Sequence, residues 1–187
     1  MAIDVPASAA AALMEVQEHL RREGLALRFE EAANMHLTLC FLGNTDSTHL
    51  SRLVELMRAE SALEQTFELH LGQVNAFPGL VAPRVVWVGI EGAMDALNRL
   101  AGRISSAVSA FRAKLEARPF HPHVTIARIR TRATRAERQR VGGALRGLPS
   151  LPPISWTVDS IVLYESRSSA RGQSYDVVAA APLGANG

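Results

Sequence analysis

The chain has 187 residues, 48% of them hydrophobic and 20% charged, with a formal net charge of +2. That mix can bury enough apolar surface to offset chain entropy, which excludes a disordered chain, and the length suits one domain, residues 1–187, built as a single unit or as two small lobes sharing a core. A lone cysteine, Cys40, excludes an internal disulfide and lacks the companions of a cysteine-based zinc site, while no apolar run is long enough to span a bilayer and no basic segment precedes the Ala-rich start, so a cytoplasmic protein is expected.

Residues 2–5 read as the end of a strand whose beginning is absent, as though the start were truncated or reassigned. Across residues 7–22, Ala9, Leu13, Val16 and Leu20 recur at helical spacing, and Gly24 supplies a C-terminal stop. Residues 35–42 form a compact apolar strand closed by Gly43-Asn44, after which Asp46 or Ser47 caps a helix carrying Leu50, Leu53, Val54 and Met57. Phe67, Leu69 and Leu71 alternate with polar residues, the turn-formers Pro78, Gly79 and Pro83 follow, and residues 85–90 return, which predicts a hairpin.

Met94, Leu97, Leu100, Ile104, Val108 and Phe111 trace one face of a long helix that leads through Arg118-Pro119 into a strand over 122–129. Residues 135–148 predict a helix in spite of Gly142-Gly143, residues 149–153 break the chain at three prolines, and strands follow over 156–164 and 172–179. The hairpins call for antiparallel pairing, and no Gly-rich phosphate loop follows any strand, so the class is α+β.

Two of these strands carry the same pattern. Met35-His36-Leu37-Thr38-Leu39 and Pro122-His123-Val124-Thr125-Ile126 both read His-x-Thr followed by an apolar residue, which hints at two related lobes. In a strand, alternation puts His36 with Thr38 on one face and Leu37 with Leu39 on the other, and likewise for His123 and Thr125. Each strand thus offers an apolar face to a core and a polar face with one imidazole and one hydroxyl.

Imidazole has an unperturbed pKa of about 6.5, so one neutral ring can take a proton from water while a second, protonated ring gives one to a departing oxygen. The hydroxyls of Thr38 and Thr125 suit the non-bridging oxygens of a phosphate. This scheme needs no metal or cofactor. A solitary His-x-Thr is an ordinary half-buried histidine; two copies in apolar strands are a different signal. His121 shares the strand parity of His123, but no acidic residue adjoins either motif to complete a zinc site. The basic residues are almost all arginine, Lys114 being the sole lysine, which suits phosphate but follows equally from high-GC coding.

At these residues the chain resembles the 2H phosphoesterase superfamily, most closely its RNA 2′,3′-cyclic phosphodiesterases, also called 2′-5′ RNA ligases. The segment from His36 to Gly43 resembles the family's first element followed by Phe-Leu-Gly, and the segment from His123 to Arg128 its second element with a trailing arginine. Phe77-Pro78, the stretch from Pro83 to Gly89, Leu163-Tyr164-Glu165-Ser166 and Gly172-Gln173-Ser174-Tyr175 resemble its middle segment and final hairpin. The resemblance implies a bilobal fold: two pseudo-symmetric antiparallel sheets, helices packed outside, and a central cleft between the lobes.

It also implies hydrolysis of RNA 2′,3′-cyclic phosphate ends to 2′-phosphomonoesters, with feeble 2′-5′ ligation in reverse. His36 would be the proton donor and His123 the base, with Thr38, Thr125 and Arg128 contacting the substrate. Strict alternation from His123 sends Arg128 to the opposite face unless a bulge redirects it. The partner expected is an RNA end or nucleotide bearing a 2′,3′-cyclic phosphate, bound by a monomer. The competing readings are a non-catalytic RNA-end binder and a 2H enzyme acting on 2′-5′ oligonucleotides or nucleotide-sugar cyclic phosphates. Arg130, Arg132, Arg135, Arg138 and Arg140 form either a basic rim that guides RNA or a solvated helix face. Tyr164, Ser166 and Tyr175 are read as hairpin packing, and Trp87 and Phe41 as core.

Overall fold

The computed structural model describes residues 1–111, 119–169 and 172–184. Among the described residues, nine strands and four α-helices are interspersed along the chain. The strands are β1 (Ala2–Asp4), β2 (Leu27–Phe29), β3 (His36–Thr38), β4 (Phe67–Phe77), β5 (Val85–Gly92), β6 (His123–Ile129), β7 (Ser155–Val158), β8 (Ser160–Ser169) and β9 (Gly172–Pro182). The helices are α1 (Ala7–Arg22), α2 (Leu50–Ala62), α3 (Met94–Phe111) and α4 (Arg135–Arg146). Every strand pairing is antiparallel, and the order is β7-β4-β5-β6-β3-β1-β8-β9, with β2 attached to β6.

The α+β class and the helices outside the strands are as the sequence implied. The two expected sheets are two halves of one curled sheet, β7-β4-β5-β6 and β3-β1-β8-β9, joined where β3 meets β6 through the single pair Leu37–Val124. Leu37 and Val124 are both fully buried, so the joint is made from the apolar faces that alternation assigns to these strands.

Local chemistry explains the helices. In α1, Ala9, Leu13, Val16 and Leu20 are buried at the predicted spacing, and Gly24 ends the helix at φ 59°, a left-handed conformation that costs a glycine little. Asp46 accepts a hydrogen bond from the Thr48 backbone at 2.8 Å, opening the short turn that precedes α2. Thr134 and Glu137 form a reciprocal capping box at the start of α4. Gly142 is required there by packing, because a Cβ would lie 1.8 Å from the Leu80 carbonyl oxygen. The predicted Arg118 lies outside the described residues.

Two strand expectations need correction, and one strand has no sequence counterpart. The strand predicted over 35–42 is regular only from His36 to Thr38, because the N–H groups of Leu39 and Cys40 both turn to the Met1 carbonyl. The strand predicted over 156–164 breaks at Asp159 into β7 and β8, which pair at opposite ends of the sheet, with β4 and with β1 and β9. β2 went unread because three residues with a central arginine carry no usable alternation. It covers the edge of β6 that β3 leaves open, from Ala127 to Ile129.

Candidate active site

The pairing of Leu37 with Val124 sets the site's geometry. Extending that register by one residue each way brings His36 opposite Thr125 and Thr38 opposite His123, all on the face away from the core. The two histidines are then diagonal neighbours, about 7–8 Å apart at the backbone. All four residues are half-buried.

Each imidazole is held in the same way. His36 Nδ1 lies 2.8 Å from the Asn34 carbonyl oxygen, and His123 Nδ1 lies 2.6 Å from that of His121. A carbonyl only accepts, so Nδ1 carries the proton in both rings and the neutral form keeps its lone pair on Nε2. The Asn34 side chain in turn donates to the Gln173 carbonyl at 2.9 Å, fastening this segment to β9.

The surroundings of the two rings differ. His36 sits against Tyr164 and Tyr175, with ring centroids 5.5 and 4.6 Å away. The Tyr164 hydroxyl donates to the carboxylate of Asp4, which stands opposite His36 on β1. His123 sits against Phe77, Trp87 and His121 at 5.0, 5.7 and 6.1 Å. Burial lowers the pKa of both histidines, and the bonded carbonyl opposes it in each. Beyond that, Asp4 and Glu30 raise the pKa of His36 against the Met1 amino group, while His121 and Arg128 lower that of His123.

Arg128 owes its position to an irregularity in β6. Val86 pairs with Ala127 but Trp87 pairs with Thr125, so Ile126 is the extra residue of a bulge. Ile126 and Ala127 are both fully buried, and alternation resumes with Arg128 on the face of His123 and Thr125. Its Nε donates to the Glu30 carboxylate at 2.9 Å. Burial and the Glu30 charge raise the Tyr175 pKa while Arg128 lowers it, so these three groups from both halves act on one another.

Other assignments divide. Trp87 is core, 7% exposed, but Phe41 is 71% exposed, because the strand it was assigned to has already ended. Of the arginines after Arg128, Arg130 and Arg138 donate to the carbonyls of Leu27 and Pro83, which fixes them to the fold. The tyrosines read as hairpin packing do pack, yet their neighbour is His36. Asp4 and Glu30 escaped the sequence reading, since neither adjoins a histidine motif in the chain. Among the described residues no three His, Cys, Asp or Glu side chains stand close enough to hold a metal ion, and the His121 ring rests edge-on against Phe77 and Trp87.

Comparison with known proteins bears on this geometry. The family model for the 2′-5′ RNA ligase superfamily matches residues 5–170. The chain belongs to that superfamily. Among relatives within it, the RNA 2′,3′-cyclic phosphodiesterase of Geobacillus stearothermophilus is 34% identical over 148 residues, 79% of this chain and 45% of that one. The chain therefore spans less than half the length of that relative. The RNA 2′,3′-cyclic phosphodiesterase of Thermotoga maritima is 29% identical over 178 residues, 95% of this chain and 91% of that one. Among solved structures, Escherichia coli LigT complexed with 3′-AMP superposes with a TM-score of 0.73 at 27% identity, covering 97% of this chain and 95% of LigT. No helix among the described residues is long and apolar enough to cross a membrane.

Proposed function

We propose that this superfamily member hydrolyses RNA 2′,3′-cyclic phosphate ends to 2′-phosphomonoesters, using His36 and His123 as the acid–base pair. The observation that carries this reading is the matched restraint of the two rings, each tied through Nδ1 to the carbonyl two residues upstream. Both therefore bring the same atom, Nε2, to the work. The names of the Geobacillus and Thermotoga relatives support the substrate class, and LigT's complex with 3′-AMP supports a ribonucleotide ligand.

Neutral His123 takes a proton from water as the oxygen attacks phosphorus, and the P–O3′ bond breaks. Protonated His36 gives its proton to the departing O3′, leaving the phosphate on O2′. Asp4 and Glu30 favour the charged ring at His36, and His121 and Arg128 favour the neutral ring at His123, which matches that division. Thr38 and Thr125 hydrogen-bond the non-bridging oxygens, and Arg128 balances their charge. A 5′-hydroxyl end in place of water yields a 2′-5′ bond, weakly, because water is far more abundant. One chain supplies both histidines, so a monomer suffices.

Incubation of EDTA-treated protein with an oligonucleotide ending in a 2′,3′-cyclic phosphate, followed by product analysis, tests this. The expected product carries a 2′-phosphate. A 3′-phosphate product overturns the assignment of the leaving oxygen. Salt-sensitive binding without turnover makes the protein an RNA-end binder, and turnover confined to 2′-5′ oligonucleotides or nucleotide-sugar cyclic phosphates changes the substrate.

A further inference from the structure

A polar side chain in the core faces the underside of the site. Gln17 lies in the middle of α1, among Ala9, Ala12, Leu13, Val16 and Leu20, and is 2% exposed. A primary amide buried in such company is costly unless its hydrogen bonds are met. Its Nε2 donates to the carbonyl oxygens of Ile126 at 2.8 Å and Glu30 at 2.7 Å, and its Oε1 accepts from Arg21 at 3.3 Å. The Ile126 carbonyl also accepts from the Glu30 N–H at 2.9 Å.

Ile126 is the bulged residue of β6 and Glu30 is the residue that follows β2. Between the contacts of β6 with β3 and with β2 the ladder is interrupted, and Gln17 supplies a donor at that interruption. The bulge decides which face Arg128 takes, and Glu30 provides the carboxylate that holds the guanidinium. We infer that Gln17 is a positioning residue: by clamping the Ile126 bulge to Glu30, it sets the Arg128–Glu30 pair beside His123. This rests on the cyclic phosphodiesterase reading for its kinetic consequence, but not for its structural one.

The test compares Gln17→Met, which keeps length and loses the donor, with Leu13→Ala, which weakens the same helix at a fully buried position while removing no hydrogen bond to Ile126 or Glu30. Below the melting temperature of each, Gln17→Met should lower kcat about tenfold or more with little change in KM, in line with the cost of small misplacements at a reacting centre. Leu13→Ala should leave kcat within about twofold. Combined with Arg128→Ala, Gln17→Met should add little further loss, because both act through one guanidinium.

Wild-type kcat in Gln17→Met, an equal loss in Leu13→Ala, or losses that multiply with Arg128→Ala would each overturn the assignment. The Arg128 Nε–H resonance and the His123 ring titration give a reading that needs no turnover. Both should change in Gln17→Met and stay put in Leu13→Ala, and unchanged signals in Gln17→Met refute the clamp even where the substrate proves to be something else.

Discussion

The half of the sheet that carries His36 and the half that carries His123 share a local device and differ in what surrounds it. In both, a strand of the form His-x-Thr presents an imidazole whose Nδ1 is bonded to the carbonyl two residues upstream. Around His36 stand two tyrosines and the carboxylate of Asp4; around His123 stand Phe77, Trp87, His121 and the guanidinium of Arg128. Repetition of a motif fixes tautomer and direction, and the neighbours then give each copy its own proton affinity. Acid and base can therefore be separated without changing the reacting residue type.

The hardest way to break this comparison is to remove a ring. His36→Ala and His123→Ala should each lower kcat by about 10²–10⁴-fold, the range for one general acid or base, and the double variant should fall little further. Steady-state rates on a cyclic-phosphate oligonucleotide decide it, and an undiminished rate in either single variant sinks the pairing. Thr38→Val and Thr125→Val remove a hydroxyl from each half while keeping shape. Each should cost roughly a hundredfold in kcat through lost stabilisation of phosphate oxygens, and a loss confined to one half would show that the phosphate is held asymmetrically.

The pH profile sharpens the comparison further. Burial depresses both pKa values in the free protein, and the proposed reaction needs one ring neutral and the other charged. The bell of kcat/KM should accordingly centre below the ordinary imidazole value of about 6.5. The acid limb reports loss of the neutral base as pH falls, and the alkaline limb loss of the charged acid as pH rises. The smallest effects expected are shifts of single limbs. Asp4→Asn removes an anion that favours charged His36, so the alkaline limb should move to lower pH. Arg128→Gln, beyond the loss of rate expected from removing the guanidinium, removes a cation that disfavours charged His123, so the acid limb should move to higher pH. Movement of the other limb in either variant would reverse the assigned roles.

Much of the candidate site's geometry is legible in the sequence because its core side is periodic. Leu37 and Val124 alternate with the polar residues, which announces both strands and the faces of all four site residues before any pairing is known. Arg128 was placed conditionally, and its bulge depends on Gln17 and Glu30, which are 109 and 96 positions from Ile126 in the chain. Such contacts leave no local pattern. Asp4 reaches His36 only through the register of β1 against β3. Phe41 is exposed for a related reason: a stretch of eight residues, six of them apolar, suggests a longer strand than the backbone makes once Leu39 and Cys40 turn to Met1.

The joint between the halves is one residue pair wide, whereas β8 and β9 match from Ser160–Pro182 to Ser169–Gly172. A ladder that long resists both sliding and rotation; a single rung, locked by the buried side chains of Leu37 and Val124, resists sliding far more than rotation. Twisting about Leu37 and Val124 should then be easier than twisting β8 against β9, and it would tilt one ring against the other. Methyl relaxation of those two residues, with and without a bound nucleotide, would report that compliance.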